Sequence, residues 1–302
     1  MDKNRRNAHL LLMLAAAIWG FAFVAQRVGM RHIGPLTFNG VRFALGAGAL
    51  APLLLIRRGW FATWTAPPVS ETPPSRRELL VGSLGAGLLL FGGSTLQQVG
   101  VIYTTAGKAG FITSLYVVFV PLLGLLWGHA TGGRTWLGVL AAAVGLYLLS
   151  ARGMGSLDRG DGLVLIGAWF WAGHVLLVGH LVQRLPALPL AVLQFTVCSV
   201  LSLIGALILE TIRIQALLAT TGPILYAGLM SVGVAYTLQA IGQRHARPAP
   251  AAIILSFEAV FAALGGWLIL SEGMTLRGMI GAALMLAGAI LAQADRSQLS
   301  RD

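Results

Sequence analysis

Ten apolar stretches of about twenty residues follow one another along this chain: 9–30, 35–56, 79–99, 106–128, 135–151, 162–183, 187–209, 222–242, 249–270 and 277–293. Crossing the ~30 Å hydrocarbon core of a bilayer takes roughly 20 such residues. Lipid offers no partner to a backbone N–H or C=O, so each stretch must close its hydrogen bonds internally. The alternating pattern of a membrane barrel is missing, which leaves helices. Composition agrees, with 57% hydrophobic and 10% charged residues in 302, where soluble domains carry about 25% charged. A soluble protein of this size has too little interior for that much apolar surface. The expected fold is an all-α integral membrane protein of ten transmembrane helices. The basic start "MDKNRR" looks like a signal peptide. With nine spans after it and no strong cleavage site, it reads as the start of an uncleaved first helix.

A net charge of +11 raises the question of nucleic acid. The positions of the charges answer it. With ten spans and a cytoplasmic N-terminus, Lys3, Arg5, Arg6, Arg57, Arg58, Arg76, Arg77, Arg134, Arg184, Arg244, Arg247, Arg296 and Arg301 fall inside. Arg27, Arg31, Arg152, Arg159, Arg213 and Arg277 fall outside. That is the positive-inside bias, and it puts both termini in the cytoplasm of a multi-pass inner-membrane protein. Basic residues on that side also meet anionic lipid. The longest polar stretch, "TAPPVSETPPSRRE", reads as a solvated cytoplasmic linker. Cys198 is the single cysteine and reads as a small apolar filler.

The chain also repeats itself. "TLQQVGVIYTTAGKAGFITSLY" aligns without a gap on the stretch 142 residues later, Thr95 on Thr237, Gln97 on Gln239, Gly100 on Gly242 and Ser114 on Ser256. An offset of 152 puts Trp19 on Trp171 and Arg42-Phe43 on Gln194-Phe195. An offset of 143 puts Gly138 on Gly281 and Gly145 on Gly288. Residues 1–151 and 160–295 therefore read as two five-helix units. Because five is odd, the second unit enters the membrane inverted. Inverted repeats create a pseudo-two-fold axis in the membrane plane, the architecture of secondary transporters that expose a central site to each side in turn.

"AAIWGFAFVAQR", "VRFALGA" and "SFEAVFAALGGWLILSEGMTLRGMIGAALMLAGAIL" resemble the EamA family of the drug/metabolite transporter superfamily, and the resemblance covers nearly the whole chain. Its most specific parts are Trp19-Gly20, Arg42-Phe43, and Glu258 with Glu272. The chain departs from the family pattern at Ala259, where a proline usually follows the glutamate, and at Tyr116 in the corresponding place of the fourth span. The resemblance implies export of small metabolites through a central cavity lined mainly by spans 1, 3, 4, 6, 8 and 9.

Glu258 is the only carboxylate deep in an expected span. A charge at mid-membrane costs at least ~2.5 kcal/mol, so it is either a proton-coupling or amine-binding site, or an acid that ties two helices together. Arg42 lies seven residues into the second span. It could bind a substrate carboxylate, but a structural or gating role is the expectation. Tyr236, Gln239 and Gln243 share a helical face, as do Ser94, Gln97 and Gln98. Gln97 and Gln239 should approach each other across the pseudo-axis. These amides line a cavity or form helix–helix bonds worth about 1 kcal/mol. Trp19 and Trp171 sit too deep for interfacial anchors and read as cavity walls, with His174 one turn on. Ser114 and Tyr116 fall on the same side. Pro121 frees the carbonyl of Val117 and marks a kink or hinge in the fourth span. Lys108 reads as snorkelling to the outer interface rather than capturing an anion, with Thr104 and Thr105 beside it in water.

No His, Cys, Asp and Glu have metal-ligand spacing, and no phosphate-binding motif occurs. No metal or cofactor is expected. The expected partners are lipid, a small-molecule substrate and protons as the coupling ion. The competing classes are an intramembrane enzyme and a non-transporting scaffold or sensor. The enzyme lacks paired acids or an activated nucleophile. The scaffold has no need of inverted repeats or of Glu258.

Overall fold

The computed structural model describes residues 3–55, 75–128, 131–150, 159–271 and 275–293. Glu272, most of the polar linker, and Arg57, Arg58, Arg152, Arg296 and Arg301 lie outside the described residues. Among the described residues all regular structure is helical.

Eight helices are long and apolar enough to cross a membrane: α1 (Lys3–Gly29), α2 (Pro35–Leu55), α3 (Arg76–Ile102), α4 (Ala106–Leu126), α6 (Arg159–Leu181), α7 (Ala187–Leu209), α8 (Thr221–Gly242) and α9 (Pro248–Leu270). Two further apolar helices, α5 (Gly133–Ser150) and α10 (Leu276–Gln293), are shorter, with 18 residues each. A short helix, Ile214–Ala219, leads into α8.

Local chemistry sets the helix ends. At α3, the Ser75 hydroxyl accepts from Glu78 N–H and the Glu78 carboxylate accepts from Ser75 N–H, a reciprocal capping box. Prolines open α2 and α9 where their missing N–H has no partner to lose. The Thr105 hydroxyl caps α4 by accepting from Lys108 N–H. At α2 the cap comes from another helix. The Glu210 carboxylate, at the end of α7, accepts from Leu36 N–H, Thr37 N–H and the Thr37 hydroxyl at 2.7–2.8 Å.

The exterior carries large apolar side chains, among them Leu126, Leu207, Ile208, Leu268 and Met279. So large an exposed apolar belt suits lipid, not water. Small residues bring the helices together, as they must where no hydrophobic drive exists between helices. A Cβ on Gly138 would lie 2.5 Å from Gly288 O, and one on Gly145 would lie 2.5 Å from Gly281 O, so α5 and α10 touch backbone to backbone. A Cβ on Gly100 would meet Gly160 O at 2.7 Å and Val164 Cγ2 at 2.5 Å, joining α3 to α6. A Cβ on Gly242 would meet Ala8 O at 3.2 Å and Leu12 Cγ at 2.8 Å, joining α8 to α1.

Three helices are irregular in the middle. α4 is interrupted at Leu115 and α9 at Phe257, and both residues have φ −60° and ψ −12°. These are 142 residues apart, the offset of the repeat. Pro121 is buried within the segment Tyr116–Leu126, and the carbonyl it leaves free, that of Val117, lies two residues past the interruption. α9 is interrupted with Ala259 in place of a proline, and there Ala259 N–H bonds Ser256 O in a tightened turn. α8 is wound as a π-helix over Tyr226–Ala235.

Candidate functional site

These irregular segments surround one central cavity, enclosing about 460 Å³ of space including its mouth. α1 contributes Trp19, Phe23 and Gln26; α2, Arg42; and α3, Gln97. α4 contributes Thr113 and Tyr116, and α6 contributes Trp171, His174 and Val175. α8 adds Ser231, Tyr236 and Gln239, and α9 adds Glu258.

Glu258 forms one pole. It opens the second segment of α9 directly after the interruption and is 5% exposed. The Ser114 hydroxyl lies 3.2 Å from Ser256 O and 3.4 Å from Glu258 Oε1, and donates between them. Ser114 therefore supports the acid from behind the wall instead of lining the cavity. Tyr116 lies against the Glu258 carboxylate, but its hydroxyl makes no well-formed hydrogen bond. A buried hydroxyl left this way is ready for a ligand or water.

Arg42 forms the other pole. Its guanidinium sits 5.0 Å from the Phe43 ring centre and 5.6 Å from that of Phe38. The side chain is 3% exposed, and its Nε has no hydrogen-bond partner. It points into the cavity, not outward to an interface.

Aromatic rings and amides lie between the poles. Tyr236 is the hub, with ring centres 4.6 Å from Trp19, 6.2 Å from Trp171 and 5.9 Å from His174. His174 Nε2 faces Gln194 Oε1 at 2.8 Å. Trp19 Nε1 donates to Ser231 O, a carbonyl of the π-wound stretch. A π-turn widens the helix and redirects such carbonyls, which is why these turns recur at functional sites.

Gln97 ties four helices together. Its Oε1 accepts from Trp171 Nε1 at 2.8 Å and from the Thr113 hydroxyl at 3.4 Å, and its Nε2 donates to Gln26 Oε1 at 3.0 Å. The Gln239 Oε1 is buried without a partner. Gln97 and Gln239 line the same cavity, but the bonds of Gln97 go to Trp171, Thr113 and Gln26 and not to Gln239. Their expected face-mates go elsewhere. Gln243 donates to Val175 O, Ser94 meets Cys198 Sγ at 3.6 Å, and Gln98 is buried outside the cavity.

Two expectations need correction. Lys108 does not snorkel to the interface. It is 7% exposed and pairs with Asp161 at 2.6 Å. Thr104 is buried as well, while Thr105 is exposed. The reason is tertiary, because Asp161 in the first turn of α6 supplies a partner inside the protein. Asp161, at the edge of its span and not deep within it, is 2% exposed and so a second buried carboxylate beside Glu258. Among the described residues no three His, Cys, Asp or Glu side chains stand close enough to hold a metal ion.

Residues 6–151 and again 158–293 match the EamA-like transporter family. The chain belongs to that family. Relatives agree along its length. An "uncharacterized transporter" of Archaeoglobus fulgidus is 32% identical over 289 residues, 95% of this chain and 86% of the relative. The "uncharacterized transporter YoaV" of Bacillus subtilis is 24% identical over 90% of this chain and 91% of its own. A solved crystal structure superposes with a TM-score of 0.71 at 17% identity, over 97% of this chain and 98% of the other. That likeness speaks for the fold alone. With its lipid-facing exterior and apolar helices, this EamA-like protein is a multi-pass membrane protein of a transporter family.

Proposed function

We propose that this protein is an inner-membrane secondary transporter that exports a small amphipathic or zwitterionic metabolite, an amino acid or an analogue, by alternating access. Its ten helices work as two inverted repeats, 1–151 and 160–295, with both termini cytoplasmic, and protons couple through Glu258.

One observation carries the proposal: the cavity is lined by repeat-related pairs. Trp19 and Trp171, Phe23 and Val175, Gln97 and Gln239, and Tyr116 and Glu258 make up eight of its fourteen lining residues. A pseudo-two-fold axis through the cavity accounts for this, as alternating access requires. The glycine contacts support the same axis. Gly100 meets Gly160 and Val164, and Gly242 meets Ala8 and Leu12, which are the same contacts after the repeat offsets are applied. Across α5 and α10, Gly138 meets Gly288 while Gly145 meets Gly281. Such reciprocity (i on j, and j on i) is the signature of two-fold packing.

The places where the symmetry breaks support the proposed substrate class. Glu258 replaces Tyr116 at one pole. Arg42 has Gln194 as its counterpart, and Gln194 is turned to His174. The cavity therefore offers one acid, one cation and aromatic walls. A ligand with an ammonium, a carboxylate and an apolar body satisfies all three, with Arg42 binding the carboxylate. The test is a solute screen by growth rescue in an overproducing strain, followed by uptake into vesicles. Arg42→Gln should weaken handling of amino acids at least tenfold and leave the corresponding amines, which lack the carboxylate, within twofold. Equal loss for both solute types would remove Arg42 as the carboxylate site.

A further inference from the structure

The ion pair of Lys108 and Asp161 stands outside the cavity and has no part in the site above. It joins the first turn of α4 to the first turn of α6, at the end of the molecule where the α3–α4 turn lies. Next to it, Arg27 of α1 donates to Val101 O and Ile102 O, the last carbonyls of α3. Below these charges lies the Gln26–Gln97–Thr113 amide layer, and below that the cavity. Opening this end means parting α4 from α6.

The opposite end is built differently. The repeat offsets place Pro250 where Lys108 stands and His9 where Asp161 stands. Proline has no side-chain donor, so the repeat-related positions cannot form the same ion pair. Among the contacts at that end, Gln183 Nε2 donates to Gln243 O and Arg244 O. In an inverted-repeat transporter, the contacts that close one end in one state are mirrored at the other end in the alternate state. Here the mirrored contacts are chemically unequal.

We propose that the Lys108–Asp161 pair is a latch that holds the α3–α4 end shut and makes that closed state the more populated one. The inference rests on the transport reading for its purpose, but not for its measurement. Removing one partner of a dry ion pair strands a buried charge. Parting the pair by opening the end is different, because water enters and solvates both groups. The pair therefore stabilises closure reversibly, and its loss shifts the population toward the open form.

The experiment uses the full chain in proteoliposomes. A Cys198→Ala, Val175→Cys background puts a single reactive cysteine in the cavity wall, and a membrane-impermeant maleimide is added to one side at a time. Tyr103→Cys, at an exposed position in the α3–α4 turn, identifies that side. Asp161→Asn and Lys108→Met should each raise cavity labelling from the Tyr103 side at least tenfold, ~1.4 kcal/mol in population. The exchange Lys108→Asp/Asp161→Lys should return the rate to within threefold of the parent. Single variants that label at the parental rate would overturn the latch, as would an exchange that labels as fast as the singles. If the single variants fail to fold, the exchange alone decides: a parental rate supports the latch and a raised rate refutes it. Solute flux is scored separately, in vesicles holding the protein without the Val175→Cys substitution. A latch that responds while that protein shows no flux for any solute would remove the transport reading and leave the latch standing.

Discussion

Replacing Glu210 should loosen α2, the helix that brings Arg42 to the cavity. The Glu210 carboxylate accepts three hydrogen bonds at the start of α2, from Leu36 N–H and Thr37 N–H at 2.8 Å and from the Thr37 hydroxyl at 2.7 Å. Gly34 and Pro35 provide no side-chain cap of their own. Losing a helix cap costs about 0.5–2 kcal/mol, and an anion at a helix N-terminus adds about 0.3–1 kcal/mol. Because Glu210 is only partly buried, water recovers some of the loss. Glu210→Ala should therefore cost ~2 kcal/mol. Glu210→Gln keeps a neutral acceptor and should cost ~1 kcal/mol, on the scale of a single net hydrogen bond. Thr37→Val, which removes only the hydroxyl bond, should fall below both. Reversible unfolding of the purified protein in mixed micelles gives these differences. A Glu210→Ala protein within about 0.5 kcal/mol of the parent, less than the weakest cap, would refute the reasoning. Arg42 follows Thr37 by about one and a half turns, so a frayed α2 should also weaken solute handling in step with stability.

Further outcomes follow from the same contacts. Gln97→Leu leaves Trp171 Nε1 and Gln26 Oε1 without their bonds; at about 1 kcal/mol for each membrane bond, it should cost ~2 kcal/mol in the same unfolding assay. Gly100→Leu and Gly242→Leu push on repeat-related contacts, so both should destabilise by roughly 1–3 kcal/mol, and one variant without effect would break the parallel. Arg42→Gln should separate amino acids from amines in vesicle uptake, and Asp161→Asn should open the α3–α4 end to maleimide.

The elements were readable because lipid imposes a simple rule. A run of about twenty apolar residues has one backbone solution, and eight such runs appear as long apolar helices within a few residues of the expected bounds. Trp19, Trp171, Gln97 and Gln239 stood out because the repeat paired them. What stayed hidden is tertiary. Gln26 has Val178 at its repeat-related position and so no twin to reveal it. Thr113 and Ser231 reach the cavity beside a helix interruption and in a π-wound segment, and no residue type in the sequence marks either winding. Pro121 signals the neighbourhood of the first, since the carbonyl it frees, at Val117, lies two residues past Leu115. Asp161 lies just before its apolar run and Glu210 just after its own. Nothing in the sequence at either position names its partner, and only the fold brings Asp161 to Lys108 and Glu210 to the start of α2.

The central proposal is that Glu258, the acid that lines the cavity, couples solute movement to protons. Solute flux should be measured in proteoliposomes with and without a pH gradient, for the parent protein and for Glu258→Gln. The account predicts parental flux that the gradient drives. It predicts a Glu258→Gln protein that inserts normally and still exchanges solute across the membrane, but no longer responds to the gradient. A Glu258→Gln protein with the parental pH response would contradict it.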